Sequence, residues 1–259
     1  MRLTPETLTW LHNCVTMDGM DTKLASPFGL LKQAWSLALQ RSNIGVYLLL
    51  GAIPPLFSLG FSQLFAYFLN GTTNVQTTII NTLSNNAILG IASVFALIFV
   101  LLIALPLVSL WYTALLYKVY QATAINDLKQ ITTYFSPAKK VTFRLFTTYI
   151  KVGLLTILGY LCFIIPGIIF TIRYLFAPII AASEDTSMNP LEESKRLAKG
   201  RFGKLAGRAL LSFFLYSIPL SIFQSIHPLL GVVWSISAPI FTLYFYLVYM
   251  DFKRTAVTA

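Results

Sequence analysis

The stretch Ile150–Ser183 constrains the fold more than any other part of the chain. It is too long and too apolar for a soluble core helix, since about 20 apolar residues let a helix cross the ~30 Å hydrocarbon layer of a membrane. Its length leaves room for two short crossings, and the pair Pro166-Gly167 at its middle predicts the corner between them. Arg173 lies well inside the second crossing.

The composition assigns the whole chain to the same class. Hydrophobic residues make up 56% of the chain, charged residues 11%, and the mean hydropathy is +0.72. Soluble domains carry about 25% charged residues. Six apolar segments are long enough to span a bilayer, or nearly so, and they lack the alternation of a membrane barrel. These segments are Ile44–Leu69, Ala87–Tyr117, Leu145–Ile165, Gly167–Ala182, Leu205–Ile226 and Leu229–Met250.

We therefore predict an all-α polytopic membrane protein with six transmembrane helices, because backbone groups in lipid must be paired within each segment. Residues 26–259 form a single integral membrane domain. Residues 1–25 form a cytoplasmic leader, which lacks the apolar core of 7–15 residues found in a cleavable signal peptide.

The distribution of charge predicts the orientation. Of the 19 Lys and Arg residues, 18 flank the segments on one side, whereas the loop Asn70–Asn86 and the corners Pro166-Gly167 and His227-Pro228 carry no charged residue. This positive-inside pattern predicts that both termini lie in the cytoplasm. It also accounts for most of the net charge of +10 without nucleic acid, which would require a basic face on a soluble module.

A repeated pattern divides the domain into three hairpins, at about 26–120, 136–183 and 189–250. Each begins with Ser-Pro or Asn-Pro, the signature of a capped helix start. A mildly amphipathic stretch follows, then an apolar run that reaches a proline, then a return helix with a further proline. The three initiating pairs are Ser26-Pro27, Ser136-Pro137 and Asn189-Pro190, the three corner prolines are Pro54, Pro166 and Pro219, and the three return prolines are Pro106, Pro178 and Pro239.

The amphipathic stretches predict helices that lie on the inner leaflet, with the apolar side in the membrane and the cations toward anionic headgroups. The alternative is a solvated extension of each spanning helix. The predicted basic face consists of Lys139, Lys140, Arg144, Lys195, Arg196, Lys199, Arg201 and Lys204. Membrane lipids with anionic headgroups are the expected partners, and other membrane proteins or further copies of this chain are additional candidates.

The run IIPGIIFTIRYLFAPIIAASEDTSMNPLEESKRLAKGRFGKLAG carries a family resemblance. Its Pro-Gly corner, the Arg in the next helix, the Ala-Pro before the cytoplasmic end and the amphipathic helix that follows resemble the membrane domain of bacterial glycerophosphodiester phosphodiesterases. It is equally similar to the related stand-alone inner-membrane proteins. The resemblance covers roughly Ser136–Ile226 and implies a bacterial inner membrane. The fused enzymes carry their chemistry in a separate soluble barrel, which we do not find here, so no phosphodiester hydrolysis is expected.

Residue patterns for catalysis or metal binding are missing from the sequence. His12 and His227 are the only histidines, and Cys14 and Cys162 make neither a disulfide framework nor a zinc spacing. No HExxH, G-x-S-x-G or phosphate-binding loop occurs. The sequence predicts a protein that is not an enzyme and has no cofactor, catalytic site or metal site.

Arg173 is the one charge inside a predicted crossing, where it costs ~3 kcal/mol or more. Glu184 lies ~16 Å further along the helix, beyond the reach of the arginine. Candidate partners are the carbonyl of Tyr174, which Pro178 leaves without its usual donor, a hydroxyl group or a lipid phosphate. The candidate site, for an anion, a lipid or helix packing alone, comprises Arg173, Pro166, Gly167 and Pro178.

Two functions follow from this arrangement. The first is a non-enzymatic, lipid-associated inner-membrane protein that acts as a scaffold or supports envelope homeostasis. The alternative is a small transporter or channel, with Arg173 and the proline kinks along the substrate path. A transporter predicts a continuous cavity with a second buried polar group beside Arg173, whereas a scaffold predicts a closed bundle with apolar packing. An enzyme of lipid metabolism is a weaker third reading, since no acid and base can be paired.

Overall fold

The computed structural model describes residues 24–70, 105–184 and 187–257. Within these ranges the backbone forms ten α-helices, one short 3-10 helix at Ile131–Tyr134 and no strand. The helices are α1 Pro27–Leu39, α2 Ile44–Asn70, α3 Leu105–Ala124, α4 Phe135–Cys162, α5 Ile164–Arg173, α6 Ala177–Ser183, α7 Pro190–Ala198, α8 Phe202–Ile226, α9 Pro228–Ser235 and α10 Ala238–Val257.

The predicted all-helical class with membrane-spanning helices is confirmed in its coarse form. Four stretches of the described residues are long and apolar enough to cross a membrane: Ile131–Cys162, Ile164–Ser183, Phe202–Ile226 and Pro228–Ala256. The pair of α1 and the first part of α2, bent by 100°, makes a fifth if it counts as one span. The predicted second segment begins at Ala87, outside the described residues, and the number six stays a prediction.

The two ends of the bundle differ in charge. The turns at Phe163 and His227 join helices at one end, which we call the uncharged end. The opposite end, here called the basic end, contains the starts of α4 and α8 and the last turns of α10, with Lys139, Lys204 and Lys253.

Most of the described core lies at the basic end. Helix α6 is buried from Ala177 to Ala182, and the fully buried large side chains around it include Tyr120, Leu145, Phe176, Tyr249 and Phe252. Toward the uncharged end the helices expose large apolar side chains, among them Leu161, Phe163, Phe213, Ile226 and Val233. So large an apolar surface requires a non-aqueous neighbour. The bundle is therefore packed tightly at the basic end and faces outward with apolar groups elsewhere.

The amphipathic stretches pack on protein, which corrects the prediction that their apolar faces enter the leaflet. In α1 the buried face of Leu30, Ala34 and Ala38 belongs to the core, where α1 packs against α10. In α7 the buried face contains Ser194, Leu197 and Ala198 and packs against α6. The second stretch is not a separate helix. It forms the first turns of α4, as the alternative of a helix extension expected.

Two of the three predicted helix starts are capped as the sequence indicates. The Ser26 hydroxyl accepts the N–H of Gly29 at 3.0 Å, and the Asn189 side chain accepts the N–H of Leu191 at 3.2 Å, each with Pro at the first helical position. Ser136-Pro137 differs, because α4 begins at Phe135 directly after the 3-10 helix and has no side-chain cap. Ser136 and Pro137 therefore lie in the first turn of α4, which continues from the 3-10 helix without a break.

The prolines do not mark equivalent corners, so the three-copy repeat stays a prediction. Pro166 lies in the first turn of α5, and the corner itself is at Phe163. Pro54 and Pro219 lie inside α2 and α8, which continue past them. Two return prolines are more regular, since Pro178 and Pro239 stand at the second position of a helix, whereas the described residues resume next to Pro106, at Leu105. A proline at the second position gives up an N–H that would have had no helical partner.

Gly51 lets α2 approach the backbone of Ile236 closely, and we expect the stability of the fold to depend on this contact. A Cβ there would collide with the carbonyl oxygen of Ile236, at the break between α9 and α10, and would lie 2.9 Å from the carbonyl carbon. We expect Gly51→Ala to lower the free energy of unfolding by about 1–3 kcal/mol, the usual cost of overpacking. The measurement is thermal unfolding in detergent.

Gly45 on the same helix supplies the matched control. No atom lies within 4 Å of a Cβ built at this position, so Gly45→Ala should leave stability unchanged or raise it through better helix propensity. Equal melting temperatures for the two variants would contradict the close packing at Gly51.

Candidate functional site

A buried ion pair joins α8 to α10 at the basic end. The Arg208 Nη1 atom donates to Asp251 Oδ2 at 2.9 Å, and the two side chains are 5% and 4% exposed. The face of Phe252 lies 5.2 Å from the Arg208 guanidinium carbon. Arg254 Nη2 reaches the second carboxylate oxygen of Asp251 at 3.2 Å. Charges buried this deeply persist only when they are paired and hydrogen-bonded, as they are here.

The same pair holds the chain that enters α1. The Ala25 N–H donates to Asp251 Oδ2 at 3.1 Å, and the Ala25 carbonyl accepts a hydrogen bond from Arg208 Nη2. Both backbone groups of one residue are thereby satisfied by the two members of the ion pair. This contact fixes the start of α1 on α8 and α10, although Ala25 is 183 and 226 residues away from its partners.

A second polar cluster surrounds Glu184 at the end of α6. Its Oε1 atom accepts from the Tyr249 hydroxyl and from Lys253 Nζ, both at 2.6 Å. Its backbone carbonyl accepts from Arg144 Nη1 at 2.7 Å, while Arg144 Nη2 donates to the carbonyl of Met188 at 2.6 Å. The cluster ties the start of α4 and the end of α10 to the chain that leaves α6.

Two arginines of the predicted basic face connect segments of the chain through hydrogen bonds to backbone carbonyls. Arg144 binds the two carbonyls after α6. Arg201 donates to the carbonyls of Phe252 and Thr255 and to the Thr255 hydroxyl. The predicted basic face places both arginines toward lipid, whereas in the structure their guanidinium groups contact carbonyls of the protein, which accept a planar fork of N–H donors.

The other members of the predicted basic face remain on the surface. These exposed residues are Lys139, Lys140, Lys195, Arg196, Lys199 and Lys204. Arg196 pairs with Glu193 through two hydrogen bonds of 2.6 and 2.8 Å, which raise the pKa of Arg196 above its ordinary value. The five lysines are exposed cations at one end of the bundle and can meet anionic groups at a membrane surface.

Arg173 is the last residue of α5, and it is half-buried. Its carbonyl accepts the hydroxyl of Ser194 at 2.8 Å, which joins α5 to α7. Among the described residues no acceptor or acid pairs with its guanidinium group. One of the three candidate partners, the carbonyl of Tyr174, accepts the N–H of Ala177 at 3.0 Å. Arg173 thus carries a charge that the described part of the chain does not neutralise.

The other residues predicted around Arg173 serve packing. A Cβ at Gly167 would strike the ring of Tyr160, and one at Gly159 would lie 3.0 Å from the Gly167 Cα, so both glycines let α4 and α5 meet behind the Phe163 corner. Pro178 is buried in the first turn of α6. Pro166 lies seven residues before Arg173 along the chain. The contacts described for Gly167 and Pro178 are packing contacts, and a site formed by these four residues stays a prediction.

An apolar crevice of about 480 Å³ lies between α4 and α5 on one side and α8 and α10 on the other. Its polar atoms are a few hydroxyl groups, including those of Thr171, Ser212 and Thr242. Arg173 is not part of its wall. The lining residues are Tyr160, Ile168, Thr171, Ile172, Ala206, Ala209, Leu210, Ser212, Phe213, Tyr216, Ser217, Ala238, Phe241, Thr242 and Phe245. Such a wall suits an apolar ligand.

In the described ranges no three His, Cys, Asp or Glu side chains are close enough to hold a metal ion. Comparison with family models, curated proteins and solved structures finds no match. The resemblance to the membrane domain of glycerophosphodiester phosphodiesterases therefore stays a prediction.

The sequence alone did not single out the buried ion pair. Arg208 and Asp251 were two of many charges at segment ends, where the usual environment is a solvated surface. One spacing distinguishes Arg208 from the other flanking charges. Arg208 lies 19 residues before the His227 corner, just as Arg144 lies 19 residues before the Phe163 corner. Both arginines turn inward at the same distance along a spanning helix. This match is the signal that could have indicated their role.

We expect Asp251→Ala to lower the free energy of unfolding by about 3–5 kcal/mol, because it leaves Arg208 buried without a counter-charge. Asp127→Ala is the control. The pair of Asp127 and Lys129 is exposed on both sides, at 59% and 62%, so this change should cost less than about 1 kcal/mol. Chemical unfolding in detergent, followed by circular dichroism, measures both.

The double variant Arg208→Met/Asp251→Leu distinguishes the cost of losing the ion pair from the cost of leaving one charge buried and unpaired. It removes both charges, so it should recover much of the stability lost in Asp251→Ala. A cost for Asp251→Ala no larger than that of Asp127→Ala would contradict the burial of the pair.

Proposed function

We propose that this chain is a non-enzymatic integral membrane protein that associates with lipid and serves as a scaffold. The observation that carries the proposal is the division of the molecule into a tightly packed basic end and a remaining surface of exposed apolar side chains. The apolar surface suits hydrocarbon, and the exposed lysines suit the anionic surface beside it. The internal polar groups at the basic end are used to hold helices together.

We further propose six spanning helices arranged as three hairpins, with both termini in the cytoplasm of a bacterium and the domain in its inner membrane. The gathering of exposed cations at one end and the uncharged corners at Phe163 and His227 support this orientation. Support for envelope homeostasis is the cellular role that we assign to such a scaffold.

The alternative of a transporter receives less support. A substrate path at Arg173 needs a cavity lined by Arg173 and by a second buried polar group. The crevice beside α5 has an apolar wall that does not include Arg173. The buried side chains of Arg208 and Asp251 bind each other and the backbone of Ala25. These observations favour a scaffold with a lipid-accessible crevice.

Two cysteine variants test the orientation. In a background with Cys14 and Cys162 replaced by serine, we expect a membrane-impermeant maleimide to label Leu229→Cys on intact cells and to label Lys129→Cys only after permeabilisation. Both positions are exposed, so access is decided by the side of the membrane. Labelling of Lys129→Cys on intact cells would overturn the proposed topology.

A charge-removing variant tests lipid association. Replacement of Lys139, Lys140, Lys195, Lys199 and Lys204 by glutamine should reduce the enrichment of anionic phospholipid around the protein, since each cation near the surface contributes about 1 kcal/mol. The measurement is the lipid composition that co-purifies from mixed bilayers. Lysine-to-arginine changes at the same five positions keep the charge and should keep the enrichment. An unchanged composition in the glutamine variant would contradict the proposed role of the basic end.

A further inference from the structure

The crevice has the length of one membrane leaflet. Along α8 its wall runs from Ala206 to Ser217, twelve residues whose eleven steps of 1.5 Å correspond to about 16 Å. Half of the ~30 Å hydrocarbon layer is ~15 Å. The wall on α5 follows the same direction, from Ile168 near the uncharged end to Ile172 toward the basic end. The crevice therefore extends along the bundle as a lipid tail of the basic-side leaflet would.

The crevice is too narrow for a protein helix. One turn of a helix 10–12 Å wide and 5.4 Å long occupies about 420–610 Å³. The whole crevice has a volume of about 480 Å³, although it is as long as three turns. A second spanning helix, from another protein or another copy of this chain, would overfill it. A single hydrocarbon chain is the slender apolar group that a membrane offers to such a space.

A cation follows directly on the α5 wall of the crevice. Arg173 directly follows the wall residues Thr171 and Ile172 on α5, and among the described residues its guanidinium group has no acid or acceptor. No acidic residue lines the crevice. Guanidinium groups bind phosphate through paired charge-assisted hydrogen bonds. Arg173 is therefore placed beside the crevice wall as a ligand for the phosphate of a lipid whose tail occupies the crevice.

We propose that the crevice holds one acyl chain of an anionic phospholipid and that Arg173 binds the phosphate of its headgroup. This site rests on the proposed lipid association and specifies it: one lipid held at one place, in addition to those attracted by the surface lysines. Tail and headgroup are recognised by different residues, so each half of the site can be removed separately.

The experiment uses the full-length protein in nanodiscs with equal amounts of phosphatidylglycerol and phosphatidylcholine, each carrying a photoreactive diazirine in the acyl chain in turn. Peptide mapping after irradiation locates the label. For the wild type we expect phosphatidylglycerol to label α5 and α8 at the crevice wall. Leu210→Trp fills the crevice from its exposed mouth and should abolish this label. Leu154→Trp is the matched control, because Leu154 lies on α4 outside the crevice and is 57% exposed, close to the 54% of Leu210. It should leave the label at the crevice wall intact.

Arg173→Leu tests the headgroup separately. It should keep labelling at the wall but reduce the preference for phosphatidylglycerol about tenfold, as expected for the loss of a charge-assisted hydrogen-bonded contact. Lys151→Leu removes another exposed cation and should keep the preference. Ala209→Phe, deeper in the wall, provides a second filling variant whose fold is checked by its melting temperature.

The outcomes separate this site from the general lipid association. Equal labelling in Leu210→Trp and Leu154→Trp overturns the acyl-chain site, and an unchanged preference in Arg173→Leu overturns the headgroup contact. If the wild type shows no label at the wall while the five-lysine glutamine variant still loses its anionic lipid, the site is wrong and the proposed function stands. If that variant keeps its anionic lipid, the proposed function itself fails.

Discussion

The ion pair between Arg208 and Asp251 is the interaction on which the described fold depends most. It lies where three parts of the chain meet: the start of α8, the end of α10 and Ala25, two residues before α1. A buried pair of this kind contributes little net stability compared with apolar packing, but the loss of one partner is costly. We therefore expect the pair to contribute specificity of helix packing rather than net stability. Of the many ways to pack apolar helices, it stabilises the one that brings Ala25 between the two charges.

Like this ion pair, the other hydrogen bonds that charged side chains make between distant described segments lie at the basic end. The pair of Arg208 and Asp251, the cluster around Glu184 and the contacts of Arg201 all lie there, around the buried helix α6. Away from the basic end the described polar contacts between helices are single hydrogen bonds, such as that from Trp234 Nε1 to the Tyr216 carbonyl at 3.0 Å, and no described ion pair lies there. Lipid tails compete equally well with apolar side chains for contact. An apolar crevice lies between α5 and α8. The described helices thus have one tightly packed end and an apolar crevice on one flank.

Four arginines near spanning helices show how far sequence reasoning reaches. Arg173 was singled out because it lies inside an apolar run, and it does lack a described partner. Arg144 and Arg201 were assigned to a lipid-facing surface, yet they bind carbonyls inside the protein. Arg208, which was only counted among flanking charges, is the most deeply buried of the four. Position along the chain indicates that a charge lies near a membrane boundary, but the direction of its side chain depends on which helix ends lie opposite.

The sequence by itself determined the helical class, the membrane-compatible segments, two capped helix starts at Ser26 and Asn189, and the concentration of charge at one end. These properties depend on local hydrogen bonding and on hydrophobicity summed along a segment, and both can be read from neighbouring residues. Only the tertiary structure decided that the corner lies at Phe163 and that α1 packs against α10. It likewise decided that Arg208 meets Asp251 and that a crevice remains beside α5. Each of these depends on residues far apart in sequence, and apolar helices of similar composition do not specify their neighbours until a few buried polar groups find their partners.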